Sequence, residues 1–148
     1  MTAAGADLTS LDEQICFALY SASRALTARY RDLLAPLGLT YPQYLVLLIL
    51  WNEGESSVGH LGERLHLDSG TLSPLLRRLE QAGHVVRSRS TADERTVLVA
   101  LTPQGSALRA EAAGIPERIC AATGLDLQGL SALREQIDAL AVHARATD

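Results

Sequence analysis

The stretch Leu67–His84 sets the limits on what this chain can become. Asp68 stands where an N-cap carboxylate would accept the free N–H groups of a first helical turn. Leu72, Leu75, Leu76 and Leu79 then recur at helical spacing and mark one buried face. The opposite face carries Ser69, Thr71, Ser73, Arg77 and Arg78, short hydroxyls followed by guanidiniums. Gly83 supplies the left-handed residue that stops a helix. Such a face can meet base edges and phosphates in a major groove. The same pattern also describes an ordinary solvated helix.

The flanking segments decide between these. Upstream, Val58 to Leu65 reads as a shorter helix entered from Ser56 or Ser57, joined to the next by a brief turn. Downstream the period becomes strand-like over His84–Arg89 and again over Thr96–Leu101, with the polar, charged Ser90–Arg95 between them. Two short helices with a tight turn form a helix-turn-helix, and a charged-tip hairpin directly after it is a wing. The expected fold is therefore mainly α with a small β-hairpin: a winged helix-turn-helix over residues 56–102.

The rest of the chain frames this region. A first helix is expected after Ser10, where Ser10–Glu13 fits a capping box, and runs to about Leu34 before Pro36 and Gly38. Ile15, Leu19, Ala22, Leu26 and Leu33 lie near one side of it. Thr40-Tyr41-Pro42-Gln43 opens a second helix, Tyr44 to about Asn52, apolar nearly all round. Thr102-Pro103 starts a helix that continues to about Cys120, with Gly114 and Pro116 bending or breaking it. The last helix, Asp126 to about Ala144, carries Leu127, Leu130, Leu133, Ile137, Leu140 and Ala141. That face has few aromatics to fill a monomer core. Residues 8–38 and 103–145 are therefore expected to form dimerisation helices within a single domain, 1–148.

Composition narrows the class. A chain of 148 residues, 47% hydrophobic, is long enough to bury one core. Its opening, Met1–Asp7, has no basic and apolar leader, and no run approaches a bilayer span. A cytoplasmic location without a membrane partner is expected. Two distant cysteines and no paired His or Cys-x-x-Cys spacing leave no metal or cofactor to expect. The net charge of −4 does not suggest a nucleic-acid binder. All basic residues are Arg, however, and between His60 and Ala100 Arg64, Arg77, Arg78, Arg87, Arg89 and Arg95 outnumber Glu63, Asp68, Glu80, Asp93 and Glu94. Those arginines cluster late in the segment, as a local DNA-facing patch requires.

Cys16 is expected about a turn and a half into the first helix, with Tyr20 at i+4 on the same face. A phenol O–H donated to sulfur favours thiolate, the species that peroxides oxidise. Tyr30, roughly 21 Å further along a straight helix, can reach only a cysteine presented by an antiparallel partner helix. Tyr41, after a bend, could approach similarly. From composition alone Cys16 also reads as a buried small hydrophobe, the tyrosines as interface filler and Cys120 as inert.

Four segments then carry a resemblance: Leu11–Tyr20 (LDEQICFALY), Leu37–Val46 (LGLTYPQYLV), Leu67–Leu76 (LDSGTLSPLL), and Asp93-Glu94-Arg95 ahead of Leu101-Thr102. Together they resemble the OhrR branch of the MarR regulators, organic-hydroperoxide-sensing repressors, over Leu8 to about Ala144. The wing and the Leu-Thr-Pro-x-Gly opening are general to MarR proteins, whereas the Cys16 and Thr-Tyr-Pro-Gln-Tyr segments are specific to the branch. The resemblance implies that Cys16 is the reactive thiolate, bonded by the partner subunit's Tyr30 and the partner subunit's Tyr41, with Tyr20 nearby. It also implies that Cys120 is a resolving cysteine forming an intersubunit disulfide; failing that, a low-molecular-weight thiol caps the sulfenic acid.

On this reading the chain is a homodimeric repressor on double-stranded operator DNA, released when organic hydroperoxide oxidises Cys16. Ser69, Thr71 and Ser73 contact bases or phosphates, Arg77 contacts the backbone, and Arg87 and Arg89 contact phosphates. Arg95 reaches the minor groove, with Asp93 as its salt-bridge partner. One alternative is a MarR regulator relieved by reversible binding of a small aromatic ligand. A thiol peroxidase fits less well, because no Arg or Thr stands beside Cys16 and Arg24 is two turns further on. No enzymatic activity is expected.

Overall fold

The structure, a computed structural model, describes residues 7–147. The opening Met1–Ala6, read above for its lack of a leader, lies outside the described residues. The elements are α1 (Ile15–Leu34), α2 (Tyr41–Glu53), β1 (Ser56–Ser57), α3 (Val58–Leu65), α4 (Ser69–Gln81), β2 (Val85–Arg89), β3 (Val97–Leu101), α5 (Pro103–Ala112), α6 (Ile115–Thr123) and α7 (Leu127–Ala146). They fall into two compact units: residues 31–113, and the residues up to Tyr30 together with those from Gly114 onward.

The core lies in the first of these units. Thr40 caps α2 through a reciprocal pair, its hydroxyl accepting the Gln43 N–H while the Gln43 side chain accepts the Thr40 N–H. This helix buries Tyr44, Val46, Leu47, Ile49 and Leu50, in keeping with its all-round apolar sequence. Ser57 caps α3 by accepting the His60 N–H, and Asp68 caps α4 by accepting the Thr71 N–H at 2.7 Å. The turn between them passes through His66 in the left-handed region, φ 55°. Leu72, Leu75, Leu76 and Leu79 form the buried face of α4, each contributing on the order of 2 kcal/mol through burial. Gly83, φ 85°, ends α4: its own N–H bonds the Glu80 carbonyl and the His84 N–H reaches back to Leu79.

The wing is the antiparallel pair β2–β3, with Val85 opposite Leu101 and Arg89 opposite Val97. The sequence reading stopped at this hairpin, but the sheet has three strands. Ser56–Ser57 pairs antiparallel with Leu98–Val99, giving the order β1-β3-β2 and fastening the start of α3 to the wing. Beyond β3, Thr102 caps α5, and the Trp51 indole N–H donates to the Gly105 carbonyl at 2.9 Å. Arg109 donates to the Trp51 carbonyl and to Asn52. These bonds lock α5 to the end of α2.

One expectation in the terminal segments needs correction. The Ser10 capping box does not form: the Asp7 carboxylate takes the Thr9 N–H and hydroxyl, and Leu11–Glu13 is only a 3-10 turn. Gln14 turns extended, its side chain bonding the Leu8 carbonyl, and α1 starts at Ile15. Cys16 therefore sits in the first turn of α1, not a turn and a half along. As expected, the helix that opens at Pro103 breaks at Gly114 into α5 and α6, because Pro116 cannot continue a hydrogen-bonded interior. In the unit holding α6 and α7, Ile115 is the only buried residue among those described. Leu127, Leu133, Ile137, Leu140 and Val142 of α7 are exposed.

Candidate nucleic-acid interface and cysteine site

The polar face of α4 is built from the same period that buries its leucines. Ser69, Thr71, Ser73, Arg77 and Arg78 are all exposed. Among the described residues no hydrogen bond or ion pair engages the guanidinium of Arg77 or Arg78. The Asp68 cap bonds hold its carboxyl below the ordinary value of 3.8, chiefly through the Thr71 backbone N–H. A negative cap at the start of α4 also complements the helix dipole. Pro74 lacks the N–H that would bond the carbonyl of exposed Gly70, leaving that carbonyl to solvent.

Next, the wing arginines separate into different roles. Arg87 Nε donates to Glu80 Oε2 at 2.6 Å, an ion pair across the end of α4. Arg89 donates to the Glu94 carbonyl at 2.8 Å and so braces the loop between the strands. The guanidinium of Arg95, at the exposed tip, has no partner among the described residues. The expected ion pair between Asp93 and Arg95 is not made. Instead, Asp93 accepts the Arg95 backbone N–H at 3.0 Å and the Thr96 hydroxyl at 3.4 Å, while Ser90 Oγ accepts the Ala92 and Asp93 N–H groups. A short carboxylate two residues back bonds the turn's own backbone more readily than a long, solvated guanidinium. Asp93 shapes the tip, and Arg95 remains available.

One open cleft of about 430 Å³ gathers Ser57 of β1, Ser73 of α4, Arg87 of β2 and Arg95 and Thr96 of the loop before β3, over an apolar floor that includes Leu76. Ser69 lies apart, lining the cleft between α3 and α4. The structure thus brings Ser73, Arg87 and Arg95 together. Glu80, Ser57 and Thr96 went unassigned from the sequence. The Ser90 turn had a local signal, Ser-Thr-Ala-Asp, but Glu80 and Arg87 stand on either side of a helix stop, where no periodicity links them.

The cysteine site is dispersed over the two units. Cys16 is exposed and Cys120, on α6, is half-buried; neither is in a disulfide. The Tyr20 hydroxyl does not bond Cys16 within the protomer. Its ring instead lies under the Arg24 guanidinium, 5.4 Å from carbon to centroid, a cation–π pair one helical turn along. Tyr41 opens α2 in the other unit, where burial pushes its hydroxyl pKa up. Tyr30 is half-buried and belongs to the same unit as Cys16. Among the described residues no group of three or more His, Cys, Asp or Glu could hold a metal, and no single helix is long and apolar enough to cross a membrane.

A helix-turn-helix whose second helix has an exposed polar face, with a three-stranded sheet extending into an arginine-bearing wing, defines a winged-helix protein. Comparison with known proteins places it further. Residues 30–111 match the family described as transcriptional regulator SarA/Rot. The chain is 49% identical over 142 residues to the HTH-type transcriptional regulator TtmR of Methylorubrum extorquens (strain PA1), covering 95% of this chain and 73% of that protein. It is 46% identical over 134 residues to the organic hydroperoxide resistance transcriptional regulator of Bacillus subtilis (strain 168), covering 90% and 89%. Among solved structures, reduced AbfR bound to DNA superposes with a TM-score of 0.76 at 34% identity, covering 90% of this chain and 94% of that one. AbfR in its disulfide-formed state superposes with 0.62 at 36%, covering 88% and 91%. The chain belongs to the MarR family of winged-helix transcriptional regulators and is a DNA-binding regulator of that type.

Proposed function

We propose that this regulator is a peroxide-responsive repressor whose DNA affinity is set by the oxidation state of Cys16. The observation that carries the reading is an exposed cysteine in the first turn of α1, in a chain 46% identical to an organic hydroperoxide resistance regulator. The Cys16 thiolate attacks the hydroperoxide O–O bond, sulfur gains an oxygen as sulfenate, and the alkoxide leaves as an alcohol after taking a proton. The Cys120 thiol then displaces water from the sulfenic acid to give a disulfide, or a low-molecular-weight thiol does so in its place.

The exposed apolar face of α7, with Leu133, Ile137 and Leu140, supports a homodimer built on the terminal helices. In such a dimer the partner subunit's Tyr30 and the partner subunit's Tyr41 bond the Cys16 sulfur, a role Tyr20 does not fill within its own protomer. Two reading heads related by a two-fold axis require a palindromic operator with half-sites about one helical turn apart, or a multiple of it. Ser69, Thr71 and Ser73 meet bases or phosphates, and Arg77 and Arg89 meet the backbone. Arg95 enters the minor groove from a tip shaped by Asp93. Oxidation that favours the DNA-incompetent arrangement by about 2.7 kcal/mol lowers affinity a hundredfold.

The test is operator binding by the reduced chain, then after one equivalent of cumene hydroperoxide, beside Cys16→Ser and Cys120→Ser. Wild-type binding should be lost and restored by dithiothreitol, Cys16→Ser should keep binding throughout, and a disulfide-linked dimer should be missing from Cys120→Ser. A wild-type chain that ignores the peroxide would instead leave relief by a reversibly bound aromatic ligand as the reading.

A further inference from the structure

Glu80 is the one carboxylate on α4, and a carboxylate on a helix that faces DNA repels phosphates. Its geometry supplies a reason for its presence. Glu80 Oε2 accepts from Arg87 Nε at 2.6 Å, with both side chains more than half covered. Nε is the inner N–H of the guanidinium, so this bond takes one edge of the fork and leaves the terminal amino groups for another acceptor. Among the described residues those groups meet no other carboxylate or carbonyl. Arg87 also lines the 430 Å³ cleft together with Arg95, Ser73, Thr96 and Ser57. Two guanidiniums and the hydroxyls of Ser57 and Ser73 around one open cleft offer donors and positive charge to an oxyanion, while Thr96 donates its own hydroxyl to Asp93. Glu80 does not line that cleft, and it grips Arg87 through Nε alone. A fork held by one edge loses less rotamer freedom when the other edge binds a phosphate.

We propose that Glu80 is a positioning residue for operator binding. By holding Arg87 through Nε, it presents the remaining guanidinium edge to a phosphate seat shared with Arg95 and Ser73, in which one operator phosphodiester docks. The inference rests on the DNA-binding reading and adds a residue to it whose own charge would otherwise oppose binding.

The experiment measures fluorescence anisotropy of a palindromic duplex, selected from random sequence by the reduced wild-type chain, titrated at several salt concentrations. Glu80→Ala should bind about fivefold more weakly although it removes a negative charge, with the salt slope shallower by about one. Glu80→Gln should recover most of the affinity, because its amide oxygen still accepts from Nε. The double variant E80A/R87A should bind no more weakly than R87A, since both remove the same contact. Glu80→Ala that binds as tightly as wild type, or more tightly, would overturn the inference and leave Glu80 a simple repulsive charge. Additive losses in the double variant would overturn it as well. A wild-type chain that selects no duplex would remove the DNA-binding reading itself, an outcome distinct from either.

Discussion

The Thr102 hydroxyl donates to the Gly83 carbonyl at 2.6 Å, joining the cap of α5 to the residue that stops α4. The same hydroxyl accepts the Gly105 N–H at 3.0 Å, and the Thr102 N–H returns to the His84 carbonyl at 3.1 Å. The stop of α4 and the first turn of α5 therefore meet at this one residue. Because β2 begins one residue beyond His84, this knot sets the direction in which the wing leaves α4.

Gly105 is what lets the knot close. A Cβ at this position would lie 2.0 Å from the His84 carbonyl oxygen and 2.9 Å from its carbon, both backbone atoms that cannot swing away. Gly105→Ala should destabilise the chain by about 3 kcal/mol, read as a lower thermal midpoint. Operator binding at low temperature should weaken as well, because the wing is displaced. A midpoint within a degree of wild type would mean that α5 does not pack as described.

The Asp68 cap predicts an acid-dependent difference. Hydrogen bonds from the first turn hold its carboxyl below 3.8, so its stabilisation is complete above that value and is lost as pH falls through the lower folded-state value. Asp68→Asn keeps an acceptor but cannot ionise. The thermal midpoints of wild type and D68N should differ by a constant amount near neutrality and converge below about pH 4. A difference that persists unchanged at pH 2.5 would show that the cap charge contributes nothing.

For Asp93, the two candidate roles make opposite forecasts. A carboxylate that bonds the Arg95 N–H and the Thr96 hydroxyl is largely replaced by the amide oxygen of Asn. Asp93→Asn should retain operator affinity within about threefold, and Asp93→Ala should lose about tenfold through a loosened tip. Equal losses in the two variants would favour an ion pair with the Arg95 guanidinium formed on DNA.

Arg95 is read through salt dependence. Its guanidinium is unengaged at the tip, so Arg95→Ala should leave the thermal midpoint unchanged. Operator affinity should fall about tenfold and the salt slope should lose about one unit. An affinity within twofold of wild type with an unaltered slope would remove the wing from the interface.

Much of the fold is legible in local sequence because caps and periods are local physics. Thr40, Ser57, Asp68, Thr102 and Asp126 each bond a backbone N–H three residues on, and each opens the helix its spacing announces. Ser10 carries the same signature and fails. Asp7 offers a competing carboxylate to the neighbouring turn, and Gln14 spends its side chain on the Leu8 carbonyl. The candidate site was legible in residue type and less so in role. Arg87, Arg89 and Arg95 look alike in sequence, yet one is gripped by Glu80, one braces a carbonyl and one is unengaged.

A buried leucine period and a strand alternation each dictate which residues point inward, and from them alone follow the helix-turn-helix, the wing and the exposed polar face of α4. Tertiary structure alone decided the β1–β3 pairing, the close approach of Gly105 to His84, and the gathering of Ser73, Arg87 and Arg95 around one cleft. Each of these depends on segments brought together across a turn or from a separate element. Only the packed chain sets their separation.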